Sequence, residues 1–291
     1  EVYAQILKDL NEAETELPGA YTGSGATLAL LNTTRAHKNS AVALKTRVYL
    51  TMGRYQDVIT EGNKIVSTNA PFTAAGRGVV NALQGDVTAI YKSPYTSLES
   101  VFSFPMATTN APGTQNQLGY YFNSGGGANL EYYLTKAASG ILASPQWGAA
   151  DVRKTAFVAA QASAKPYLTK FSNVAPFTDF VPSIRYAEVL LNVAEAEARV
   201  GSQTRGQAIL EAVHKRSDAS YAFAGGGQTA LVNAILTERR IELLGEGFRT
   251  IDFMRLGLPI QSSGAGQAIP TNDVRYVWPI PTAEVQTNPG L

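Results

Sequence analysis

Apolar residues recur three to four positions apart in several stretches of the chain, and this spacing predicts a mainly α-helical fold. The first such stretch, residues 1–17, ends at Pro18-Gly19, a pair that is typical of turns. Residues 229–244 carry a strong helical pattern, and residues 251–256 indicate a short continuation. The Gly- and Thr-rich residues that follow the first helix, up to about Asn32, indicate a loop.

Two further stretches indicate pairs of helices joined by a turn. Residues 39–67 are interrupted at Gly53-Arg54-Tyr55, and residues 184–216 are interrupted at Gly201. A helix pair with small or apolar residues before a Gly-x-Tyr turn is similar to a tetratricopeptide unit. Because the two turn glycines lie far apart in the sequence, we expect two separate antiparallel hairpins and not a tandem array.

The region between the hairpins, residues 72–181, predicts a loop-rich insertion with minor β structure. Residues 101–104 alternate Val-Phe-Ser-Phe, which is typical of a short strand, and Gly-, Asn- and Pro-rich segments follow it. A chain of 291 residues is long enough for one large domain or two small ones. We expect a single domain over 1–291 with this insertion inside it.

The composition argues against several classes of function. The chain has 24 Lys and Arg against 23 Asp and Glu, and this balance argues against nucleic-acid binding and against a polybasic membrane patch. It has no cysteine, which excludes disulfides, zinc ribbons and cysteine nucleophiles. His37 and His214 are its only histidines, and neither has a second histidine or cysteine at metal-binding spacing, so we expect no metal and no other cofactor.

Aromatic side chains are concentrated in residues 91–147, which hold ten aromatic residues but only four charged ones. Rings, amides and hydroxyls suit an uncharged, hydroxylated ligand, because sugar faces stack on rings while amides bond to hydroxyl groups. The candidate ligand-binding residues, which lie near Gly- and Asn-rich loops, are Tyr120, Tyr121, Asn123, Tyr132, Tyr133 and Trp147. The alternative is that these rings pack the insertion onto the helices, which is the role we expect for Phe102 and Phe104.

The adjacent tyrosines carry a further restriction. Neighbouring side chains on a regular strand point to opposite sides. At most one tyrosine of each adjacent pair is therefore expected to contact ligand, unless the nearby glycines make the backbone irregular.

The helix over 229–244 places Glu238 and Glu242 four residues apart on one face, where like charges repel. We interpret this region as a structural ion-pair network that ties the helix to residues 248–255, and not as an acid–base pair or a metal site. Its expected members are Glu238, Arg239, Arg240, Glu242, Arg249 and Asp252, with Arg255 as a further available partner.

Several motifs occur in order over residues 183–291. They are Ile184–Leu191 with Ala194-Glu195-Ala196, then Glu238–Leu243, Glu246–Arg249, Asp252–Gly257, and the tail Trp278–Pro281 with Glu284 and Asn288-Pro289. Jointly they resemble the signature of the SusD/RagB family. Asp151-x-Arg153 and the opening helix extend the resemblance weakly to most of the chain.

The resemblance implies a SusD-like fold of tetratricopeptide-like helical hairpins. It implies a nutrient-binding lipoprotein, outward-facing and lipid-anchored at the cell outer membrane of Bacteroidetes-type bacteria. Such a protein binds an oligosaccharide, as in starch utilization, or another small nutrient, and delivers it to a SusC-type TonB-dependent transporter. Because the chain begins at Glu1 without a lipoprotein cysteine, we expect its N-terminal part and its lipid anchor to be missing.

Two other classes of function stay open beside this non-catalytic, non-enzyme interpretation. A glycan-acting hydrolase needs two carboxylates about 5–10 Å apart in a cleft, whereas the aromatic region offers only Glu99 and Glu131. A tetratricopeptide-type scaffold that binds proteins is expected to show tandem repeats and a charged concave face, and neither is evident in the sequence.

Overall fold

The computed structural model describes residues 1–74, 76–111, 113, 117–261, 267–288 and 290, and these residues are mainly helical. They divide into two units, Glu1–Glu246 and Gly247–Leu291. The prediction of one domain over 1–291 stays a prediction. Pro289 of the tail motif lies outside the described residues.

Helices are the main regular elements of the first unit. They are α1 (Val2–Glu16), α2 (Gly25–Thr34), α3 (Lys38–Thr51), α4 (Tyr55–Gly62), α5 (Leu118–Phe122), α6 (Val152–Phe157), α7 (Tyr186–Val200), α8 (Gln203–Lys215) and α9 (Gly227–Glu242). The strands are short: β1 (Ser100–Phe104), β2 (Ser124–Gly125), β3 (Ala128–Asn129), β4 (Val158–Ala159), β5 (Tyr167–Leu168) and β6 (Val181–Arg185). They form three antiparallel pairs, β1 with β6, β2 with β3 and β4 with β5.

Helix α7 lies at the centre of this unit. Every residue from Tyr186 to Ala198 is buried, and the helix packs against α3, α4, α8 and α9. A helix that is covered all round belongs to a core, which explains why nine of its 15 residues are Ala, Val or Leu. The two predicted hairpins, α3–α4 and α7–α8, are confirmed, and they pack on each other through α4 and α7.

The second hairpin begins later than expected. Ile184 and Arg185 belong to β6, and α7 starts at Tyr186. Strand β6 pairs with β1 in a register that places Phe104 opposite Val181, so the strand predicted at 101–104 finds its partner here. This pairing satisfies backbone groups that would otherwise be buried without hydrogen bonds.

Helix α2 corrects the loop expected up to Asn32. Its composition is rich in Gly and Thr, but Leu28 and Leu31 are spaced for one helix face, and the helix packs beside β1. The preceding loop is fastened at Tyr21, whose NH donates to Asn32 Oδ1 at 2.9 Å and whose hydroxyl donates to the Ala36 carbonyl at 2.9 Å. Tertiary packing therefore outweighs the weak helix propensity of this stretch.

The second unit contains α10 (Phe248–Arg255) and α11 (Thr282–Thr287). Arg255 pairs with Asp252 at 2.8 Å, and the guanidinium of Arg249 lies 3.9 Å from the ring centroid of Phe253. Within the part of the chain that the structure describes, no helix is both long and apolar enough to span a bilayer.

His37, which precedes α3, gives a prediction about acid stability. The side chain is completely buried, and burial lowers its pKa from 6.5 to about 4. The His37 imidazole is protonated near pH 6.5 in the unfolded chain, whereas in the folded chain it stays neutral to about pH 4. The contribution of neutral His37 to the free energy of unfolding is therefore complete above pH 6.5 and is lost as the pH falls toward 4. Between pH 6.5 and 5 the free energy of unfolding should fall about 1–2 kcal/mol more for the wild type than for His37→Gln.

Urea denaturation of both proteins at several pH values in this window measures the difference. Most carboxylates titrate at lower pH, so they contribute little to it. Equal pH dependence in the two proteins would mean that His37 is not held neutral by the fold.

Candidate ligand-binding surface

The β2–β3 hairpin folds the chain back onto α5, so that residues separated in sequence meet. The backbone NH groups of Glu131 and Tyr132 both donate to the Tyr121 carbonyl, at 3.0 and 3.1 Å. At the turn, Gly126 has φ 58°, and a Cβ there would lie 2.6 Å from Cγ1 of Val174, so glycine is required. The hairpin thereby brings Tyr132 beside the tyrosines of α5.

Tyr120, Tyr121 and Tyr132 form one contiguous surface, which we call the tyrosine cluster. The ring centroids of Tyr120 and Tyr121 lie 5.2 Å apart in an edge-to-face arrangement, and those of Tyr121 and Tyr132 lie 5.4 Å apart. Rings at such separations attract and orient each other. Tyr132 is 57% exposed, whereas Tyr120 and Tyr121 are half-buried. The cluster is therefore partly packed against the protein and partly open to solvent.

The restriction expected for adjacent tyrosines does not apply to Tyr120 and Tyr121, because they lie on α5 and not on a strand. Partial burial and the neighbouring Glu131 carboxylate raise the pKa of the Tyr121 hydroxyl. At neutral pH this hydroxyl therefore keeps its proton and serves as a hydrogen-bond donor as well as an acceptor.

Two aromatic neighbours of the cluster, Phe122 and Phe177, were not among the candidates. The Phe177 ring centroid lies 6.2 Å from that of Tyr120, and Cδ1 of Phe177 would lie 3.2 Å from a Cβ at Gly119. Phe177 lies outside the aromatic-rich residues 91–147, so the density of aromatic residues did not select it. A sequence signal for this residue does exist, because Phe177 and Phe180 form a second aromatic group near the end of the insertion.

Tyr133 has a different environment from Tyr132. Its side chain is 49% exposed, and the ammonium of Lys165 lies 5.2 Å from its ring centroid. A cation at this distance from a ring is attracted to its face. Tyr133 is therefore exposed enough to meet a ligand, but a ligand over that face would compete with Lys165.

Two predicted candidates are corrected by their burial. Trp147 is 1% exposed and packs with Ile141, Val158 and Ile241, so its ring is not available for stacking on a ligand. Asn123 is 5% exposed. Its amide donates to the Phe171 carbonyl, so Asn123 supports the end of α5 from within.

The candidate acid–base residues lie elsewhere, in a set of buried charged side chains that we call the buried charge network. Its members are Glu99, Asp151, Arg153, Lys170, Arg185, His214, Arg216, Glu238, Glu242 and Glu246. All of them are buried except Arg216 and Glu246, whose side chains are still at most 4% exposed. The network includes the acids of α9 and basic side chains from several distant segments.

Glu242 is the centre of this network. Its carboxylate accepts hydrogen bonds from Arg153 at 2.7 Å, Arg185 at 2.8 Å and Arg216 at 2.5 Å. Burial alone would raise the pKa of Glu242, but the guanidinium groups of Arg216, Arg185 and Arg153 outweigh it and hold the pKa well below its usual range. Glu242 is therefore a permanent anion at neutral pH and not a proton donor.

Glu238 has equally complete pairing. It lies 2.5 Å from Arg153 Nη1 and 2.5 Å from His214 Nδ1, and the His214 ring stacks on Tyr221 with centroids 3.7 Å apart. The structural interpretation of Glu238 and Glu242 thus has geometric support. The partners found here come from distant segments, whereas the sequence suggested Arg239, Arg249 or Arg255.

Arg239 and Arg240 occupy other positions on α9. Arg239 donates to Asn192 Oδ1 at 2.6 Å, and Arg240 donates to the Ser139 carbonyl at 3.1 Å. Among the residues with described positions, no group of three or more His, Cys, Asp or Glu side chains has an arrangement that could hold a metal ion.

Comparison with known proteins now adds to this geometry. The model of the SusD family matches residues 172–291. The solved structure of a SusD superfamily protein from Bacteroides fragilis is similar over 98% of this chain and 62% of its own, with a TM-score of 0.81 and 33% identity. The chain thus resembles the SusD family, in sequence over residues 172–291 and in fold over nearly its whole length. The predicted resemblance and the mainly helical fold class are both confirmed.

Other relatives extend this resemblance. SusD-like protein P38 of Formosa agariphila is 30% identical to this chain over 129 residues, which cover 41% of the chain and 25% of that protein. A SusD superfamily structure from Bacteroides thetaiotaomicron has a TM-score of 0.79 and 25% identity, over 99% of this chain and 64% of its own. The chain therefore spans a quarter of the curated relative and less than two thirds of these solved chains.

The surface glycan-binding protein A of Bacteroides thetaiotaomicron, solved in complex with laminarihexaose, shares the fold. Its TM-score is 0.65 at 18% identity, over 88% of this chain and 61% of its own. At this identity the likeness shows the fold alone.

Proposed function

We propose that this chain binds a glycan or a similar neutral nutrient without transforming it, and that the tyrosine cluster is its contact surface. The observation that carries the proposal is the contact between three tyrosine rings, of which Tyr132 is exposed and Tyr120 and Tyr121 are half-buried. Apolar faces of sugar rings pack on such aromatic faces, and phenol hydroxyls bond to sugar hydroxyls. The resemblance to the SusD family supports this class of ligand, as does the laminarihexaose complex of a protein with the same fold.

The proposal extends to the setting in which the binding takes place. The resemblance to the SusD family supports a place on the outward face of the cell outer membrane, with a lipid anchor in the full-length protein. It equally supports delivery of the bound nutrient to a SusC-type TonB-dependent transporter.

The geometry argues against the hydrolase alternative. Glu99 is fully buried and is paired with Arg185 and Arg216, so it is not available to form an acid–base pair with the exposed Glu131. Glu238 and Glu242 are buried and paired as well. A glycosidase needs two carboxylates about 5–10 Å apart on either side of an accessible bond, and none of these four residues meets that condition with another.

The tyrosine cluster is tested by the double variant Tyr121→Ala/Tyr132→Ala. Titration with neutral oligosaccharides, laminarihexaose and a maltohexaose among them, should show modest affinity for the wild type. Loss of two stacking rings should weaken binding about tenfold, with little change in melting temperature because both side chains are partly exposed. The control variant is Tyr3→Ala, which removes an exposed tyrosine from α1 and should bind like the wild type.

Two further measurements on the same samples sharpen this test. Affinity should change by less than about twofold between about 50 and 500 mM NaCl, because few charges lie near the rings. Release of reducing ends from the oligosaccharide by pure protein would contradict the proposal that the chain binds the glycan without transforming it. Equal affinity of the double variant and the wild type would contradict the placement of the site.

A further inference from the structure

A cleft of about 570 Å³ lies between α2, the segment 78–84 and the turn 96–100. It shares no lining residue with the tyrosine cluster. Its volume falls within the range of about 300–1,000 Å³ that is usual for small-molecule sites. The cleft is therefore large enough for a small ligand.

The chemistry of the lining restricts what the cleft is able to hold. None of the described lining residues carries a charge. The lining includes Asn32, Asn81 and Gln84, which carry amides, together with the apolar residues Leu28, Val80 and Leu98. An ion placed here would lose hydration without gaining a counter-ion, whereas a molecule with hydroxyl groups and an apolar face would find partners for both.

The polar walls are held in place before any ligand arrives. Asn32 Oδ1 accepts from the Tyr21 NH at 2.9 Å, and Asn81 Oδ1 accepts from Asn39 Nδ2 at 3.1 Å. The backbone NH of Gln84 is fixed by the buried carboxylate of Glu99 at 3.0 Å. Because these groups are already ordered, binding does not have to supply the free energy of ordering them.

We infer that this cleft is a second binding site, for a small neutral molecule of monosaccharide or disaccharide size that has both hydroxyl groups and an apolar face. The ligand class agrees with the proposed function, but the site is separate and does not require the tyrosine cluster. The uncharged lining excludes sugar phosphates and sugar acids as preferred ligands.

The test is a titration of ¹⁵N-labelled protein with glucose, maltose and cellobiose, followed by amide chemical shifts. Saturable shifts are expected at Asn81, Gln84 and Ser97 below about 50 mM sugar, and they should be much smaller with glucose 6-phosphate and glucuronate. The variant Ala29→Trp places a large ring in the cleft and should abolish the shifts. Gln84→Ala, which alters less of the structure, should weaken binding about threefold to tenfold.

The same titration on Tyr121→Ala/Tyr132→Ala separates this inference from the proposed function. Retention of the cleft shifts in that variant supports a separate site, even if the tyrosine cluster proves not to bind glycans. The inference is overturned if no sugar gives saturable shifts at these amides, or if folded Ala29→Trp and Gln84→Ala both bind like the wild type. It is also overturned if the anionic sugars bind more tightly than the neutral ones.

Discussion

Replacing Glu242 by Gln is expected to lower the free energy of unfolding by about 3–5 kcal/mol and the melting temperature by roughly 10 °C. Glu242 is 1% exposed and neutralises Arg153, Arg185 and Arg216. Glutamine keeps the shape of the side chain but not its charge. Three buried guanidinium groups would then share less negative charge in a region where water does not screen them.

The matched control is Glu12→Gln on α1. Glu12 lies 3.9 Å from Lys8, and both side chains are 66% exposed, so the same chemical change should cost less than about 0.5 kcal/mol. Thermal denaturation followed by circular dichroism measures both variants, and oligosaccharide affinity should be nearly unchanged in both. A selective loss of binding by Glu242→Gln at an unchanged melting temperature would assign Glu242 to the binding site instead.

Replacing Gly62 by Ala should destabilise the protein by about 2–3 kcal/mol. Gly62 ends α4 where this helix crosses α7, and a Cβ at this position would lie 2.3 Å from Cγ2 of Val193. The Val193 side chain is β-branched and lies in a helix, so it has little freedom to rotate away. The clash should outweigh the gain of up to about 1 kcal/mol that Ala brings over Gly in a helix.

A double-mutant cycle with Val193→Ala isolates this contact. In the Val193→Ala background, Gly62→Ala should cost less than about 1 kcal/mol, because the methyl group that it meets is gone. Gly85→Ala is the control, since a Cβ at Gly85 would meet nothing within 4 Å. An equal cost of Gly62→Ala in both backgrounds, measured by urea denaturation, would show that the helix crossing is not what requires glycine.

The helical hairpins were predictable because their signal is local. The apolar residues of 39–67 and 184–216 repeat at helical spacing, and the turns fall at Gly53 and Gly201. Helix α2 was not predictable in this way, since its Gly- and Thr-rich composition favours a loop and its stability depends on packing beside β1. The start of α7 was misplaced because the pairing of β6 with β1 joins residues about 80 positions apart.

The candidate site was predictable only in part, for a similar reason. The count of aromatic residues identified Tyr120, Tyr121 and Tyr132, but it did not show that the β2–β3 hairpin would bring them together. Trp147 lies near loop segments in the sequence, as the other candidates do, yet it is buried against Ile241, which comes much later in the chain. The local sequence does not show which distant residues will cover a side chain, so the burial of Trp147 could not be predicted.

The uncharged cleft shows the same limit. Its walls come from three segments, and each of them has an ordinary loop or helix composition when taken alone. The uncharged lining arises only where these segments pack together in the fold. No spacing rule in a single sequence would have selected Asn32, Asn81 and Gln84 as one group.

The position of Glu242 in the chain imposes an order on biosynthesis. It follows Arg153 by 89 residues, Arg185 by 57 and Arg216 by 26, so the ribosome makes all three cations before the anion that they share. The hairpins α3–α4 and α7–α8 depend on nearby contacts and are able to form as they emerge. Arg153 has Asp151 beside it from the start, but Glu238 and Glu242 are made later, so we expect its full pairing, and with it burial, only after α9 has left the exit tunnel. A nascent chain arrested before residue 242 would thus hold folded hairpins beside an undocked insertion.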